Sequence, residues 1–348
     1  MKLIKKVMIL IILAIIIQGS MLLFLDKYYF EVDAKVSVPA STKTVGKSVL
    51  IKVGEKSKDF KVSYDGMYLS FFDGNQLNVV NTVLGTIQKI KIEENSTISF
   101  YKWLSDNNKI VYAQKVQSKK GEITKFFYYD VKNNNSEEVR GENTNGSIVI
   151  EDSSPNLRVS DILLSTISNV MYAKLTSTSG QSLIYKSENM NSMKKTQIPM
   201  SLLGNIQLTP GDGMLYYEDI SAKKIKNILG NPIDIPKVEN PIILGTDSAN
   251  NIYIGNVINS KISQLYWGIL KGNSSSFTTK ELKSPTYMKN IYITLQGKIY
   301  INDGLKGVVT ELNSDMETSY TGVFKSIYDK GIISIDEEKV VKTLFKGA

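Results

Sequence analysis

Hydrophobic and polar positions alternate along most of this chain, in short apolar and aromatic runs that each follow a turn residue. For example, Met67-Tyr68-Leu69 follows Gly66, and Ile110-Val111-Tyr112 follows Asn108. The turn residues that lead into such runs are Gly66, Asn108, Asn169, Gly213, Asn251, Gly297 and Gly331. Alternation with β-branched and aromatic residues predicts strands. A strand repeat of roughly 40–50 residues is typical of a β-propeller, in which each copy forms one blade.

Seven copies predict an all-β propeller of seven four-stranded blades, although six or eight blades also fit the spacing. Within the first copy, residues 67–72 and 76–80 flank Asp73-Gly74-Asn75, and Asp-Gly between two strands is a strong hairpin signal. Since propellers are often closed by pairing terminal strands, a strand near residues 32–38 or 49–53 is expected to complete the blade that contains residues 331–345. Residues 140–156 are rich in Asn, Glu, Ser and Gly, and we predict a loop insertion there.

An apolar segment precedes the repeats. Residues 7–25 are interrupted only by Gln18, Gly19 and Ser20. As a helix this segment would be roughly 28 Å long, close to the thickness of a bilayer core. Lysines before the segment and Asp26 after it predict a cytoplasmic N-terminus and an exported remainder. A cleaved signal peptide and a plain buried helix are the alternatives, but no small-residue cleavage site follows the apolar run.

These patterns divide the chain into four predicted parts. Residues 1–6 form a cytoplasmic tail, 7–25 a single transmembrane anchor, 26–47 a linker that can include a closing strand, and 48–348 the propeller. This organisation predicts a cell-membrane protein with an extracytoplasmic C-terminal domain. The Asn- and Lys-rich, Arg-poor composition suggests a bacterial source.

Two residue types are missing, which limits the chemistry of the chain. The 348 residues contain neither histidine nor cysteine. Ser-His-Asp triads, thiolate nucleophiles, disulfides and the usual zinc sites are therefore excluded. The formal net charge is +8, but the lysines are dispersed and only Arg140 and Arg158 are arginines, so no nucleic-acid partner is expected.

Several repeats resemble known propeller families. Residues 62–71 and 103–113, which contain Ser63-Tyr64-Asp65-Gly66 and Ser105-Asp106-Asn107-Asn108, are similar to repeats of TolB and of the dipeptidyl-peptidase-IV N-terminal propeller. Residues 246–254 resemble an NHL-type repeat. The resemblance implies the fold for most of the chain after residue 49. It does not imply peptidase activity, because those peptidases carry a separate hydrolase domain with a triad that requires histidine.

We assign no catalytic, cofactor-binding or metal-binding residue from the sequence, and we expect no cofactor. Asp65, Asp106, Asp212 and Asp247 recur at equivalent turns, where a carboxylate usually binds its own backbone. The aromatic residues considered as an exposed sugar or peptide platform are Tyr216, Tyr217, Tyr266, Trp267, Tyr292 and Tyr300. Their strand positions favour packing between blades instead.

The function that the sequence favours is non-catalytic. We expect a membrane-anchored extracytoplasmic propeller that binds or scaffolds a protein, a peptide or an envelope polymer. The alternative is a carboxylate-dependent hydrolase or lyase that acts on cell-envelope glycans, which would require two acidic side chains roughly 5–10 Å apart in a deep pocket.

Overall fold

Seven small antiparallel sheets follow one another along the chain in this computed structural model, and all belong to one compact unit, residues 45–348. The structure describes residues 5, 6, 8, 14, 17–21, 48–51, 53–54, 56–119, 121–141, 146–151, 156–188, 192–270 and 276–347. The predicted anchor at 7–25 lies mostly outside the described residues, and the predicted linker at 26–47 lies wholly outside them. Among the described residues, no helix combines the length and the apolar character needed to cross a bilayer.

Each sheet is one blade of a seven-bladed β-propeller, as the sequence predicts, and its strands run antiparallel from the inside outwards. The first, innermost strands are β2 (Ser57–Val62), β6 (Thr97–Trp103), β11 (Leu157–Ser165), β15 (Leu203–Leu208), β18 (Pro241–Thr246), β22 (Ile291–Ile293) and β26 (Val323–Tyr328). The second strands are β3 (Tyr68–Asp73), β7 (Lys109–Ser118), β12 (Val170–Ser177), β16 (Leu215–Asp219), β19 (Asn251–Ile258), β23 (Ile299–Asp303) and β27 (Gly331–Asp336).

The outer half of each blade is more variable. The third strands are β4 (Gln76–Asn81), β8 (Gly121–Asp130), β13 (Ser182–Glu188), β17 (Lys224–Asn227), β20 (Lys261–Ile269), β24 (Val308–Glu311) and β28 (Lys339–Leu344). The outer strands are β5 (Ile87–Lys89), β9 (Asn135–Glu138), β10 (Val149–Ile150), β14 (Lys194–Lys195), β21 (Thr278–Thr286), β25 (Glu317–Ser319) and β1 (Ser48–Leu50).

The ring is closed by the first and last strands of the propeller. Strand β1 pairs with β28 in the register Val49 to Val340, and so becomes the outer strand of blade 7. The amide of Ile51 continues this pairing by donating to the carbonyl of Glu338 at 2.8 Å. The sequence predicted two candidates for the closing strand, near residues 32–38 and 49–53. The candidate at residues 49–53 is the one that pairs, and residues 32–38 lie outside the described residues.

Blades 2 and 4 depart from the four-stranded pattern. In blade 2, β8 is ten residues long. Strand β9 pairs with residues 127–130 at the C-terminal end of β8, and β10 pairs with Thr124 and Lys125 nearer its N-terminal end. The segment predicted as a loop insertion at 140–156 thus supplies a strand, because the long β8 presents more edge than β9 covers. Blade 4 has three strands, and the chain beyond β17 makes a single bridge, between Lys226 and Pro232. Proline has no backbone N–H, so it cannot extend a ladder.

Seven hydrophobic clusters occupy the seven interfaces between neighbouring blades. Tyr112, Tyr172, Tyr253 and Tyr300, at similar positions of the second strands, are all buried in these clusters. Tyr300 stacks on Phe345 of the next blade, with ring centroids 4.1 Å apart. Each sheet therefore buries both faces against its neighbours, which explains the long apolar runs.

Because the strands of a blade alternate in direction, the turns of the propeller are divided between two ends. We call the end with the turns between first and second strands the lower face. The upper face carries the turns between second and third strands and the connections from blade to blade.

Six of the seven innermost strands contain a register shift, in β2, β6, β11, β15, β18 and β26. Such bulges remove backbone groups from the ladder.

A matched pair of substitutions tests the closure. Ile51 is 2% exposed in the cluster between blades 7 and 1, whereas the adjacent Leu50 is 61% exposed. We expect Ile51→Ala to lower the free energy of unfolding by about 2–4 kcal/mol, because it leaves a cavity at the seam. Leu50→Ala should change it by less than about 0.5 kcal/mol. Urea denaturation followed by tryptophan fluorescence measures both, and equal effects would contradict this role of the seam.

Candidate functional site

The turns of the lower face hydrogen-bond to one another. Asn108 of blade 2 donates to the carboxylate of Asp65 in blade 1 at 2.8 Å, and the amide of Gly211 in blade 4 donates to Asn250 Oδ1 in blade 5 at 2.7 Å. Asp65 also accepts from the amide of Met67 within its own turn. The hydrogen bonds of these polar groups therefore hold neighbouring blades in register.

The other recurring aspartates also bind their own turns. Asp247 Oδ1 accepts from the amides of Ala249 and Asn251, and Asp212 Oδ1 accepts from the amide of Met214. Asp106 accepts from the side chain of Asn107. In the part of the chain that the structure describes, no group of three or more acidic side chains is arranged to hold a metal ion.

Half-buried lysines also bind backbone carbonyls of the next blade. Lys174 on β12 donates from Nζ to the carbonyls of Leu203 and Gly204, at 2.9 and 2.5 Å. Lys61 on β2 donates to the carbonyl of Tyr101 at 2.7 Å and pairs with Asp59 at 3.2 Å. Burial lowers the pKa of both lysines. Their charges thus stabilise contacts between neighbouring blades.

Glu218 on β16 also binds backbone groups, through a negatively charged side chain. One carboxylate oxygen accepts from the amide of Asn205 at 2.8 Å and the other from the amide of Ile243 at 2.5 Å. These amides belong to the innermost strands of blades 4 and 5, so one side chain links both. Glu218 is buried, and desolvation raises the pKa of its carboxyl group.

Gly204 makes room for this arrangement. A Cβ atom at position 204 would collide with Glu218 Oε2 and would come within 2.9 Å of Ile220 Cδ1. The absence of a side chain therefore lets the carboxylate reach the backbone. Next to it, Asn205 Nδ2 donates to the carbonyl of Ile243 at 3.0 Å and contacts Met288 Sδ at 3.4 Å. The upper ends of blades 4 and 5 are thus held in a fixed arrangement.

An apolar surface lies on this fixed base. Leu202, Ile220, Tyr287 and Met288, which we call the upper patch, are 38–51% exposed. The amide of Ile220 donates to the carbonyl of Leu202 at 3.1 Å, which joins these two residues. Tyr287 and Met288 come from the connection between blades 5 and 6, which ends in a 3-10 turn at Met288–Asn290. Large apolar side chains gathered on one surface are a common mark of an interaction site.

Lysines surround the upper patch. The Nζ atoms of Lys261 and Lys289 lie 5.3 and 6.0 Å from the centre of the Tyr287 ring. Lys223 and Lys224 line a cavity of about 270 Å³ beside Ile220. An apolar centre within a polar rim is the usual anatomy of a protein interface. The positive rim favours a partner surface that is acidic.

Two carboxylates line this cavity, those of Glu218 and Asp219. As neighbours on one strand they point to opposite sides. The oxygens of Glu218 accept from backbone amides, and those of Asp219 accept from the amide of Ala222 and from Lys226 at 2.7 Å. Their hydrogen bonds match a structural role.

The aromatic residues considered as a platform contribute mainly to the core. Tyr216, Tyr217, Tyr266 and Tyr300 are buried, and Trp267 and Tyr292 are half-buried against neighbouring blades. The aromatic residue of the upper patch, Tyr287, was not among them. It lies in a blade connection, where strand alternation gives no signal.

Sequence reasoning also missed Gly204, Lys174 and Glu218. A signal existed for Glu218, because alternation along β16 places it on the same side as the buried Tyr216. A carboxylate on a buried side needs hydrogen-bond donors. The identity of those donors depends on bulges in two other strands, which the sequence does not reveal.

Comparisons with known proteins support the architecture. No family model and no curated protein matches the chain. Among solved structures, a chain in the crystal structure of a mitotic checkpoint complex is similar, with a TM-score of 0.50 and 12% identity over 89% of this chain and 97% of that one. The WD40 domain of SCAP from fission yeast has a TM-score of 0.44 and 10% identity over 85% of each chain.

A third similar structure is the dipeptidyl peptidase 4 of Porphyromonas gingivalis. Its TM-score is 0.43 and its identity 10%, over 84% of this chain and 46% of that one. At these identities the similarities concern the fold alone. The class of protein, a seven-bladed β-propeller, is defined by the seven consecutive sheets of the chain itself.

Gly204 offers a test of the fixed base. We expect Gly204→Ala to lower the free energy of unfolding by about 1–3 kcal/mol, because the new methyl group displaces Glu218 from two buried amides. Gly304→Ala is the control, since a Cβ there would meet only Asn302 Nδ2, at 3.9 Å. Urea denaturation of both variants measures the difference. If both unfold at the same midpoint as the wild type, the link through Glu218 contributes little.

Proposed function

We propose that this chain is a membrane-anchored, extracytoplasmic propeller that binds a partner protein or peptide, or an envelope polymer, without catalysing a reaction. The observation that carries the binding role is the upper patch, an apolar surface with a lysine rim, which lies on a base that the buried carboxylate of Glu218 holds in place. Pre-organised surfaces bind with less loss of conformational entropy. An acidic protein segment with apolar side chains is the partner that suits this patch best.

The anchor and the location in a bacterial envelope are part of the same proposal. The apolar run at 7–25 with lysines before it supports an N-terminus on the cytoplasmic side. Residues 17–21 are helical, and the apolar side chains of Ile17 and Met21 are exposed. The similarity of the repeats to TolB and NHL-type repeats belongs to this proposal too.

The absence of cysteine makes the topology directly testable. Leu305, in a turn of blade 6, is 96% exposed and can be replaced by cysteine without loss of packing. We expect a membrane-impermeant maleimide to label Leu305→Cys on intact cells and Lys5→Cys only after lysis. The natural chain is the control for background labelling. Labelling of Lys5→Cys on intact cells, or of Leu305→Cys only after lysis, would contradict the proposed orientation.

The binding role is tested by capture with variants on the two faces. After brief crosslinking of native membranes, we expect the double substitution Tyr287→Ala and Met288→Ala to recover at least about tenfold less partner than the wild type, since central apolar anchors dominate binding energy. The control pair, Leu84→Ala and Ile167→Ala, removes two exposed apolar side chains from the lower face. A partner lost equally from both pairs, or from neither, would rule out the upper patch as the binding surface.

A further inference from the structure

Glu218 joins blades 4 and 5 at the base of the upper patch. Its side chain is buried, and its oxygens accept from the amide of Asn205 at 2.8 Å and from the amide of Ile243 at 2.5 Å. The register of β15 shifts between Leu203 and Ile206, which leaves Asn205 outside the pairing with β16. The carboxylate thus supplies an acceptor for an amide that the bulge removes from the ladder.

Two side chains of the upper patch contact the backbone that Glu218 holds. Asn205 Nδ2 lies 3.4 Å from Met288 Sδ, and a Cβ atom at Gly204 would lie 2.9 Å from Ile220 Cδ1. Met288 is 38% exposed and Ile220 is 51% exposed, so each is available to a partner while it also contacts this backbone. A movement of residues 204 and 205 would therefore displace both apolar side chains.

The surroundings of the carboxylate suit its charged form. Both amides are hydrogen-bond donors, and the charge that blade 3 contributes here is the ammonium group of Lys174. A protonated carboxyl group carries a hydroxyl, whose oxygen accepts a hydrogen bond less well than a carboxylate oxygen does. Protonation of Glu218 would therefore weaken or break the bond to one of the two amides.

Burial also brings this protonation to a higher pH than that of an ordinary glutamate. Desolvation raises the pKa of the Glu218 carboxyl group, and the two amides and the charge of Lys174 offset this only in part. The other charged side chains at the adjoining cavity are those of Asp219, Lys223 and Lys224. The pKa of Asp219 is lowered, because its bond to Lys226 at 2.7 Å outweighs desolvation. As the pH falls, Glu218 is thus protonated before Asp219.

We propose that Glu218 is a pH-sensitive switch of the upper patch. As a carboxylate it fixes the backbone at residues 204 and 205, so that the apolar side chains in contact with this backbone are presented for binding. As a neutral acid it releases one amide and lowers the affinity for the partner. The change is local, because the bond from Asn205 Nδ2 to the carbonyl of Ile243, at 3.0 Å, does not involve this proton. This inference rests on the binding role proposed for the upper patch.

Hydrogen exchange of the full-length chain in nanodiscs tests the switch. Mass spectrometry follows peptides that contain residues 203–208 and 241–246 at about pH 7.5 and about pH 5, and each rate is divided by the intrinsic rate at that pH. We expect at least about tenfold faster relative exchange in one of these peptides at the lower pH, since a buried amide then lacks its charged acceptor. Global unfolding is not the cause, because folding favours the proton on a carboxyl group with a raised pKa.

Two matched variants assign the effect to Glu218. Glu218→Gln should exchange quickly at both pH values, because glutamine offers one carbonyl acceptor for two amides. Asp219→Asn is the control, since Asp219 binds the amide of Ala222 and Lys226 within its own blade, and it should follow the wild type. Circular dichroism confirms that each variant keeps its strands, and the wild type alone still tests the proposal if Glu218→Gln does not fold.

The effect on binding is measured by repeating the capture with a photoactivated crosslinker at both pH values. We expect at least about fivefold less partner at the lower pH, and from Glu218→Gln at either pH, within the usual range of coupling between two sites. Exchange that does not depend on pH, or partner recovery that does not follow it, would overturn the switch and leave the proposed function standing. Exchange that depends on pH without any captured partner would confirm the local switch and refute the proposed binding role.

Discussion

The pairing of β1 with β28 is the constraint on which the rest of the propeller depends. Seven blades in a ring have seven interfaces, and each of these contains its own hydrophobic cluster. Without the seam between blades 7 and 1, the two blades at the break would each expose a face that is apolar throughout. The closing strand thus protects an apolar interface as well as supplying hydrogen bonds.

Much of this architecture follows from local sequence. The run from Ile110 to Tyr112 and its counterparts predict strands because their alternation matches a sheet covered on both faces. Turn residues such as Gly66 and Asn169 mark the repeat because their backbone adopts a positive φ, which few residues favour. The number of blades and the position of the closing strand therefore could be read from the sequence with few alternatives.

The candidate surface is harder to predict because it depends on residues far apart in the chain. Leu202 and Met288 reach the upper patch through two different blade connections, which follow no alternation. The link through Glu218 requires bulges in both β15 and β18, and a bulge leaves little trace in composition. The three strands of blade 4 show the same difficulty, since only Pro232 hints that the ladder ends.

The seam also has a consequence for how the chain folds. Val49 and Val340 meet although they stand near opposite ends of the propeller sequence, so their contact closes a loop that includes nearly all of it. Contacts of such long range are entropically costly to form, and they slow folding. Synthesis supplies β1 at the start, but its partner exists only when the last blade has been made. Until then β1 presents an unpaired strand edge, which other chains can engage. The growing chain is therefore most vulnerable to misassembly during the whole interval between its first strand and its last.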